Sequence, residues 1–205
     1  MGMGIRKTIA GALCLAALGV AAAPAQAQTQ ACPPLCLPAL EVVAAPAPAP
    51  ACPDEFAQAQ SLTEKRFASS VTCLVNRVRA SVRARAVRDE RRLRRAASRH
   101  TSSMVGRTFF SHRNGRDPDD RIAATGYMDG ATKWVVGENL AWGAGATEST
   151  PYAIVSGWRL SAPHRATMLN PRFTDFGIAV RMAMPSAEVP KSPVTVTTEY
   201  GYRKG

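Results

Sequence analysis

Two histidines and one carboxylate are the side chains of this chain best able to do chemistry. They lie in three short motifs, namely Phe109-Phe110-Ser111-His112, Gly137-Glu138-Asn139-Leu140-Ala141 and Pro163-His164-Arg165. Two imidazoles and a carboxylate form a ligand set that occurs in open zinc sites, and the same groups suit proton transfer. Because the three positions are far apart in sequence, they can meet only through the tertiary fold.

Three hypotheses remain open for these groups. In the first, His112 and His164 bind a divalent cation, with zinc the best suited, and Glu138 is a third ligand or orients a histidine. In the second, Glu138 orients a histidine that acts as general base in a hydrolysis. In the third, the cluster is structural and fixes the end of a sheet. Ser111 and Ser161 lie in no Gly-x-Ser-x-Gly motif, which argues against a serine nucleophile.

The elements that must position these groups begin with two helices. Apolar residues at three- and four-residue steps predict a helix over 55–83, and a second shared face predicts a helix over 89–106 ending near Gly106. The first face consists of Phe67, Val71, Leu74, Val78 and Val82, and the second of Leu93, Ala97, His100, Thr101 and Met104. His100 is therefore expected at the inner edge of the second helix, as a histidine with satisfied hydrogen bonds.

The second half of the chain alternates helices and strands. A short capped helix is predicted at 119–124, and the stretch 134–143 is predicted as a strand that leads into a turn, with Glu138 at the end of the strand. Thr150 and Pro151 indicate the start of a helix, and Ser161 is expected to cap the helix that carries His164. Alternating patterns then predict strands over 176–182 and 194–200. This order of elements indicates an α+β layered domain.

The N-terminal region reads as a targeting segment followed by a tether. A cationic start, an apolar run over 9–23 and a small-residue cleavage motif predict a signal peptide at 1–27. Residues 28–54 are rich in Ala and Pro and predict an extended tether, so we expect the folded domain at 55–205. After signal removal no membrane-spanning segment is expected. These features predict a secreted or envelope-associated protein.

Export makes disulfides the natural interpretation of the remaining cysteines. Apart from Cys14 in the signal segment, the chain has Cys32, Cys36, Cys52 and Cys73. Four cysteines in an oxidising compartment predict two disulfides, with three pairings open.

The chain is strongly basic, with a formal net charge of +11. Much of the excess lies in residues 77–99, which hold ten arginines against Asp89 and Glu90. Such a segment attracts polyanions, so an anionic envelope polymer, lipid or surface is the expected partner. A solvated helical face is the alternative. No recognised nucleic-acid-binding module is present, and we expect no nucleic-acid partner.

The motifs together resemble the bacterial branch of the CAP superfamily, the SCP-like domains named after cysteine-rich secretory proteins, antigen 5 and pathogenesis-related proteins. The resemblance covers residues 70–201. Beyond the three motifs above, it includes Leu74-Val75-Asn76-Arg77-Val78-Arg79, Asp120-Arg121-Ile122, Gly126-Tyr127, Gly157-Trp158, Leu169-Asn170-Pro171-Arg172-Phe173-Thr174 and Phe176-Gly177-Ile178-Ala179-Val180.

The resemblance implies a fold, a cavity and a location. It implies an α-β-α sandwich with a central antiparallel sheet between helical layers, and secretion. It also implies a solvent-open cavity with two histidines and two acidic residues, in which some members bind zinc. His112, Glu138 and His164 match such positions, and we expect the adjacent Ser111 and Asn139 to line the cavity. A second acid is not identified. Because family members differ in function, two functions stay open. These are a non-enzymatic binding module at the envelope, and a metal-dependent hydrolase of peptide or cell-wall polymer.

Overall fold

The computed structural model describes residues 51–188 and 190–205. Its helices are α1 (Glu64–Ser81), α2 (Arg91–Gly106), α3 (Pro118–Ala123), α4 (Gly145–Glu148), α5 (Pro151–Leu160) and α6 (Ala162–Leu169). Its strands are β1 (Arg88–Asp89), β2 (Lys133–Gly143), β3 (Asp175–Arg181) and β4 (Val194–Lys204). The expected signal segment, most of the tether, Cys32 and Cys36 lie outside the described residues.

A four-stranded sheet in the order β1-β3-β4-β2 forms the middle layer. The three long strands are antiparallel, as predicted, while the two-residue β1 adds a parallel pairing to β3. Helices α1, α5 and α6 pack on one face, and α2 and α3 on the other. The predicted α+β sandwich is therefore confirmed, with a mixed sheet in place of a purely antiparallel one.

One face of the sheet carries an ordinary apolar core. Side chains alternate between faces along a strand, and Val194, Val196 and Tyr200 of β4 point with Phe176 of β3 towards α1 and α5. All four are at most 1% exposed. The helices contribute the other core side chains, which include Phe67, Val71, Leu74, Val155 and Trp158. This face supplies most of the hydrophobic stabilisation.

The opposite face, under α2, combines a small apolar cluster that includes Leu93 and Ala96 with buried polar side chains. Thr195, Thr197 and Glu199 of β4 are fully buried there, and Thr101 of α2 donates a hydrogen bond to the Thr197 hydroxyl at 2.8 Å. The helix can approach this closely because β3 has a glycine beneath it. A Cβ at Gly177 would lie 2.2 Å from α2 backbone atoms. The sequence therefore buries a polar layer between helix and sheet.

The first helix differs from its prediction in its length and in which side chains it buries. It begins at Glu64, capped by Thr63, because residues 59–61 form a separate 3-10 turn. Val82, predicted to be on the apolar face, is 52% exposed, whereas Arg79 is completely buried. The arginine-rich segment is thus not one solvated face.

Arg79 is a structural clamp. Its guanidinium donates hydrogen bonds to the carbonyl oxygens of Arg85 at 2.9 Å, Met168 at 2.7 Å, Asn170 at 3.1 Å and Phe173 at 2.9 Å. Burial lowers the pKa of Arg79. The four carbonyls compensate the desolvated cation and join the end of α1 to the connection between α6 and β3.

The remaining elements are close to their predictions. Thr150 caps α5 and Pro151 is its first residue, and β3 and β4 lie where alternation predicted them. The placement of Glu138 at a strand end was wrong, because β2 continues to Gly143 and Glu138 lies in its middle.

A disulfide joins Cys52 to Cys73. This confirms one of the two predicted disulfides and gives its pairing. It ties the segment before α1 to the middle of that helix. Among the described helices, none is both long and apolar enough to span a membrane.

Candidate functional site

The site is built around the buried carboxylate of Glu138. Its side chain is 1% exposed, and it faces the polar layer beside α2. Arg121 of α3 donates to its Oε2 at 2.5 Å. The same guanidinium donates to the carbonyl oxygens of His112 at 2.7 Å and Arg116 at 3.1 Å. Arg121 therefore holds both the carboxylate and the loop that carries the first histidine.

His112 is the exposed partner of this carboxylate. Its Nδ1 lies 2.7 Å from Glu138 Oε1, and its side chain is 49% exposed. Burial raises the pKa of Glu138, but the hydrogen bond with His112 and the charge of Arg121 outweigh it and lower the pKa overall. An ionised carboxylate only accepts hydrogen bonds. The His112 Nδ1 therefore carries the proton, and Nε2 is its free nitrogen.

The third histidine of the chain joins this cluster from α2. His100 is completely buried, and its Nε2 lies 3.0 Å from the Ser111 carbonyl oxygen and 3.9 Å from Glu138 Oε2. Burial lowers the pKa of His100, which favours a neutral ring that donates through Nε2. The prediction of a satisfied histidine is confirmed, although at full burial and not at an edge.

The second acid that the sequence did not reveal is Glu199. It is paired with Glu138 across β2 and β4 and is completely buried. Burial, reinforced by the negative charge of Glu138, raises the pKa of Glu199 well above its usual range. One carboxyl of the pair is thus ionised and the other neutral, as expected when two acids share one buried space.

His164 approaches from α6 along the outer edge of β2. Its Nδ1 lies 2.8 Å from the Ser161 hydroxyl. Ser161 is the N-cap residue of α6, as predicted, but its side chain makes no capping hydrogen bond to the backbone. Burial, and then the charge of His112, lower the pKa of His164. Asn139 is completely buried and donates to the His164 carbonyl oxygen at 3.0 Å, which fixes this end of α6.

The predicted residues are therefore brought together unequally. His112 and Glu138 are in direct contact. Within the described residues no hydrogen bond or salt bridge joins His164 to either of them, and the charge of His112 reaches His164 only as a lowering of its pKa. Ser111 is exposed, and its hydroxyl accepts a hydrogen bond from the Arg113 amide at 3.1 Å. Within residues 51–188 and 190–205, no three His, Cys, Asp or Glu side chains form a group that could hold a metal ion.

A groove of about 380 Å³ lies beside His164. Its lining is mainly apolar and includes Phe110, Leu140, Trp142, Trp158 and His164. Trp158 donates from Nε1 to the Leu140 carbonyl oxygen at 2.9 Å, which satisfies one backbone group at this edge of β2. This groove suits an apolar group beside His164, and neither His112 nor Glu138 is among its lining residues.

The sandwich fold, and the contact between a buried carboxylate and an exposed histidine, agree with the resemblance to SCP-like domains. The model of the cysteine-rich secretory protein family, CAP, matches residues 73–186. Since this is more than half of the chain, the protein belongs to the CAP family. Comparison with curated protein sequences gave no match.

Solved structures from three bacteria share the fold. An extracellular SCP-domain protein of Bacillus anthracis is 22% identical, with a TM-score of 0.53 over 75% of this chain and 44% of its own. An outer surface protein of Borrelia burgdorferi is 16% identical, with a TM-score of 0.57 over 70% of this chain and 97% of its own. A cysteine-rich secretory protein of Staphylococcus aureus is 13% identical, with a TM-score of 0.50 over 67% and 39%. This chain thus spans less than half of the first and third.

Proposed function

We propose that this CAP protein is a secreted, non-enzymatic binding module that acts at the cell envelope or outside the cell. In this proposal a divalent cation, with zinc the best suited, is held by Nε2 of His112 and Nε2 of His164. The observation that carries the proposal is the 2.7 Å contact between His112 Nδ1 and the buried Glu138 carboxylate. A carboxylate on the far nitrogen of an exposed imidazole is the usual support of a metal-binding histidine.

The donor chemistry fits a cation held by two protein nitrogens. Both rings have an oxygen at Nδ1, from Glu138 in one case and Ser161 in the other, so Nε2 is the nitrogen left for a ligand. Glu138 has one oxygen with His112 and the other with Arg121, so it acts by orienting His112. A bound zinc ion with open positions would accept oxygen donors from an external ligand.

The same contacts decide which group could act in catalysis. Glu138 is unsuited to be the base, because its side chain is 1% exposed and its two oxygens accept hydrogen bonds from His112 and Arg121. The general base of a hydrolase would be His112, through its free Nε2. Ser161 contacts His164, but among the described residues no carboxylate contacts that ring to complete a triad.

Zinc titration by calorimetry of untagged protein tests the cation. The wild type should bind, and His112→Ala/His164→Ala should lose at least about tenfold in affinity. Arg165→Ala, an exposed neighbour of His164, is the matched control and should bind like the wild type. Equal affinity of the double histidine variant and the wild type would defeat the proposal.

The surface partner is proposed from the arginines of α2. Arg91, Arg95 and Arg99 are exposed on this helix and lie close together around one shallow depression. Clustered cations of this kind attract anionic polymers and lipids in a salt-dependent way. Retention on isolated cell walls or anionic vesicles should fall when all three are changed to Ala. Changing the exposed Arg107, Arg159 and Arg165 removes the same charge elsewhere and should matter less, and equal losses would argue against a specific surface.

A metal-dependent hydrolase of peptide or cell-wall polymer is the second candidate. The observation that favours it is the apolar groove beside His164, which could hold a substrate side chain. This candidate predicts turnover of peptide or peptidoglycan that a chelator abolishes and that Glu138→Gln loses. Turnover that persists in chelator would contradict it.

A further inference from the structure

A second cavity, away from the histidines, is lined by cations without partners. It measures about 800 Å³ and lies at the end of the sheet where β2 begins and β4 ends. Three of its lining residues are exposed cations, Arg85, Lys133 and Arg172. None of the three forms a salt bridge with any described residue, and no Asp or Glu lines the cavity.

The cavity is held in shape by the buried Arg79. Its guanidinium bonds the carbonyl oxygen of Arg85 on one side and those of Asn170 and Phe173 on the other. Arg85 and Arg172 therefore project from two backbone segments that one clamp fixes together. A site whose charged groups are already positioned loses less entropy when a ligand binds.

The rest of the lining is aromatic and hydroxylic. Val135 and Tyr202 are paired across β2 and β4, so their side chains share one face of the sheet. Lys133 has the same parity on β2 and shares this face, whereas Trp134, which also contributes to the lining and is 44% exposed, projects from the opposite face. Thr132 and Thr174 add hydroxyl groups. An aromatic ring can pack against the apolar face of a sugar ring, and nearby hydroxyl groups can hydrogen bond to the sugar hydroxyls. The cations can bind phosphate by charge-assisted hydrogen bonds.

We propose that this cavity binds a phosphorylated saccharide. The volume falls within the range of about 300–1,000 Å³ of small-molecule sites, so inorganic phosphate alone would leave most of it empty. A phosphate monoester carries about −1.5 to −2 at neutral pH. Three cations therefore balance one or two phosphates. The phosphate lies against Arg85, Lys133 and Arg172, and the sugar lies against Tyr202 and Val135.

Calorimetry of the full chain tests the ligand class with three probes, N-acetylglucosamine 1-phosphate, N-acetylglucosamine and inorganic phosphate. The phosphorylated sugar should bind at least about tenfold more tightly than either part alone, because both halves of the cavity are used. If inorganic phosphate binds as tightly as the phosphorylated sugar, or if the phosphorylated sugar does not bind, the proposal is overturned.

Matched variants locate the binding. Arg85→Ala/Arg172→Ala should weaken it at least about tenfold, while Arg107→Ala/Arg159→Ala removes the same charge from exposed positions elsewhere and should leave it within about twofold. Tyr202→Ala should weaken it several-fold, whereas Tyr152→Ala, which removes an exposed ring of α5, should not. Equal losses from the control pair and the cavity pair would reduce the effect to general electrostatics and overturn the proposal.

A competition experiment separates a free sugar phosphate from the head group of a phosphorylated glycolipid. Vesicles that carry such a glycolipid should retain the protein, and soluble N-acetylglucosamine 1-phosphate should release it if the head group occupies this cavity. Retention that the soluble compound does not reduce assigns the vesicle contact to another surface and leaves the free sugar phosphate as the ligand.

Discussion

The two faces of the sheet in this CAP protein are built for different purposes. The face under α1, α5 and α6 buries aromatic and branched side chains, and such burial is the main source of stability. The face under α2 and α3 buries Glu138, Glu199, His100 and Arg121. Buried charges and polar groups contribute little net stability even when paired. The difference indicates that the polar face is maintained for the site, and that the apolar face supplies the stability it requires.

The largest expected effect tests the apolar face. Phe67 is completely buried in its core, and Phe67→Ala should lower the free energy of unfolding by about 3–5 kcal/mol through lost burial and a new cavity. Urea denaturation followed by circular dichroism measures this. The exposed Phe56→Ala is the control and should change stability much less. A change in the free energy of unfolding as small as that of Phe56→Ala would show that the apolar face is not the main source of stability.

A second variant tests how closely α2 must approach the polar face. The Cβ of Gly177→Ala would lie 2.2 Å from the α2 backbone, so the helix must move outward. We expect a loss of about 1–3 kcal/mol, with a weaker contact between His112 and Glu138 as a result. Gly157→Ala, where a Cβ meets nothing within 4 Å, is the matched control. Equal stability of the two variants would show that the close approach is unimportant.

The pH dependence of stability tests the acid pair. Since the pKa of Glu199 is raised on folding, the native state binds more protons than the unfolded state above the unfolded pKa. The contribution of Glu199 to stability should therefore fall as pH rises through this window, by about 1.4 kcal/mol per pH unit. The lowered pKa values of His100 and His164 act in the opposite direction, so the slope due to Glu199 is the difference between the wild type and a Glu199 variant. Glu199→Gln should remove this slope, as measured by urea denaturation over about pH 5–8.

The exposed Glu148→Gln is the control for that slope and should leave it unchanged. The contribution of Glu138 to the pH dependence has the opposite sign. Because its pKa is lowered on folding, its stabilising contribution is lost only as the pH falls towards its pKa in the native state. An unchanged slope in Glu199→Gln would mean that Glu199 is not the neutral partner.

The smallest expected effect is the most specific to the polar face. Thr101 and Thr197 hydrogen bond to one another in a buried position. Replacing both partners by apolar groups of the same shape is close to neutral, so Thr101→Val/Thr197→Val should change stability by less than about 1 kcal/mol. Thr197→Val alone leaves the Thr101 hydroxyl without this partner and should be the less stable of the two. A large loss in the double variant would show that the polar layer stabilises the fold.

The sequence predicted the elements well and the polar layer poorly. The periodicity of α2 correctly gave Leu93, His100 and Thr101 a common buried face. On β4 the residues at alternate positions from Val194 to Tyr200 were found, but the pattern gave no role to Thr197 and Glu199 between them. Alternation shows which residues share a face and not whether a helix covers it. Glu199 and its pairing with Glu138 are therefore visible only in the tertiary structure.

Arg79 was missed for a similar reason. Lys and Arg are almost never fully buried unless their charge is compensated, and the compensation here comes from carbonyl oxygens of residues distant in sequence. For His112 and Glu138 the family resemblance was stronger evidence than their spacing in the sequence. The spacing of two distant residues does not show whether they meet in the fold, whereas the resemblance rests on the motifs that contain them.

The most direct test of the account is a nitrogen NMR spectrum of the histidine side chains during zinc titration. We predict that His112 Nδ1 is protonated before zinc is added, and that the Nε2 signals of His112 and His164 shift together as zinc binds. Buried His100 should not shift with them. A His112 ring protonated on Nε2, or Nε2 signals that do not respond to zinc, would contradict it.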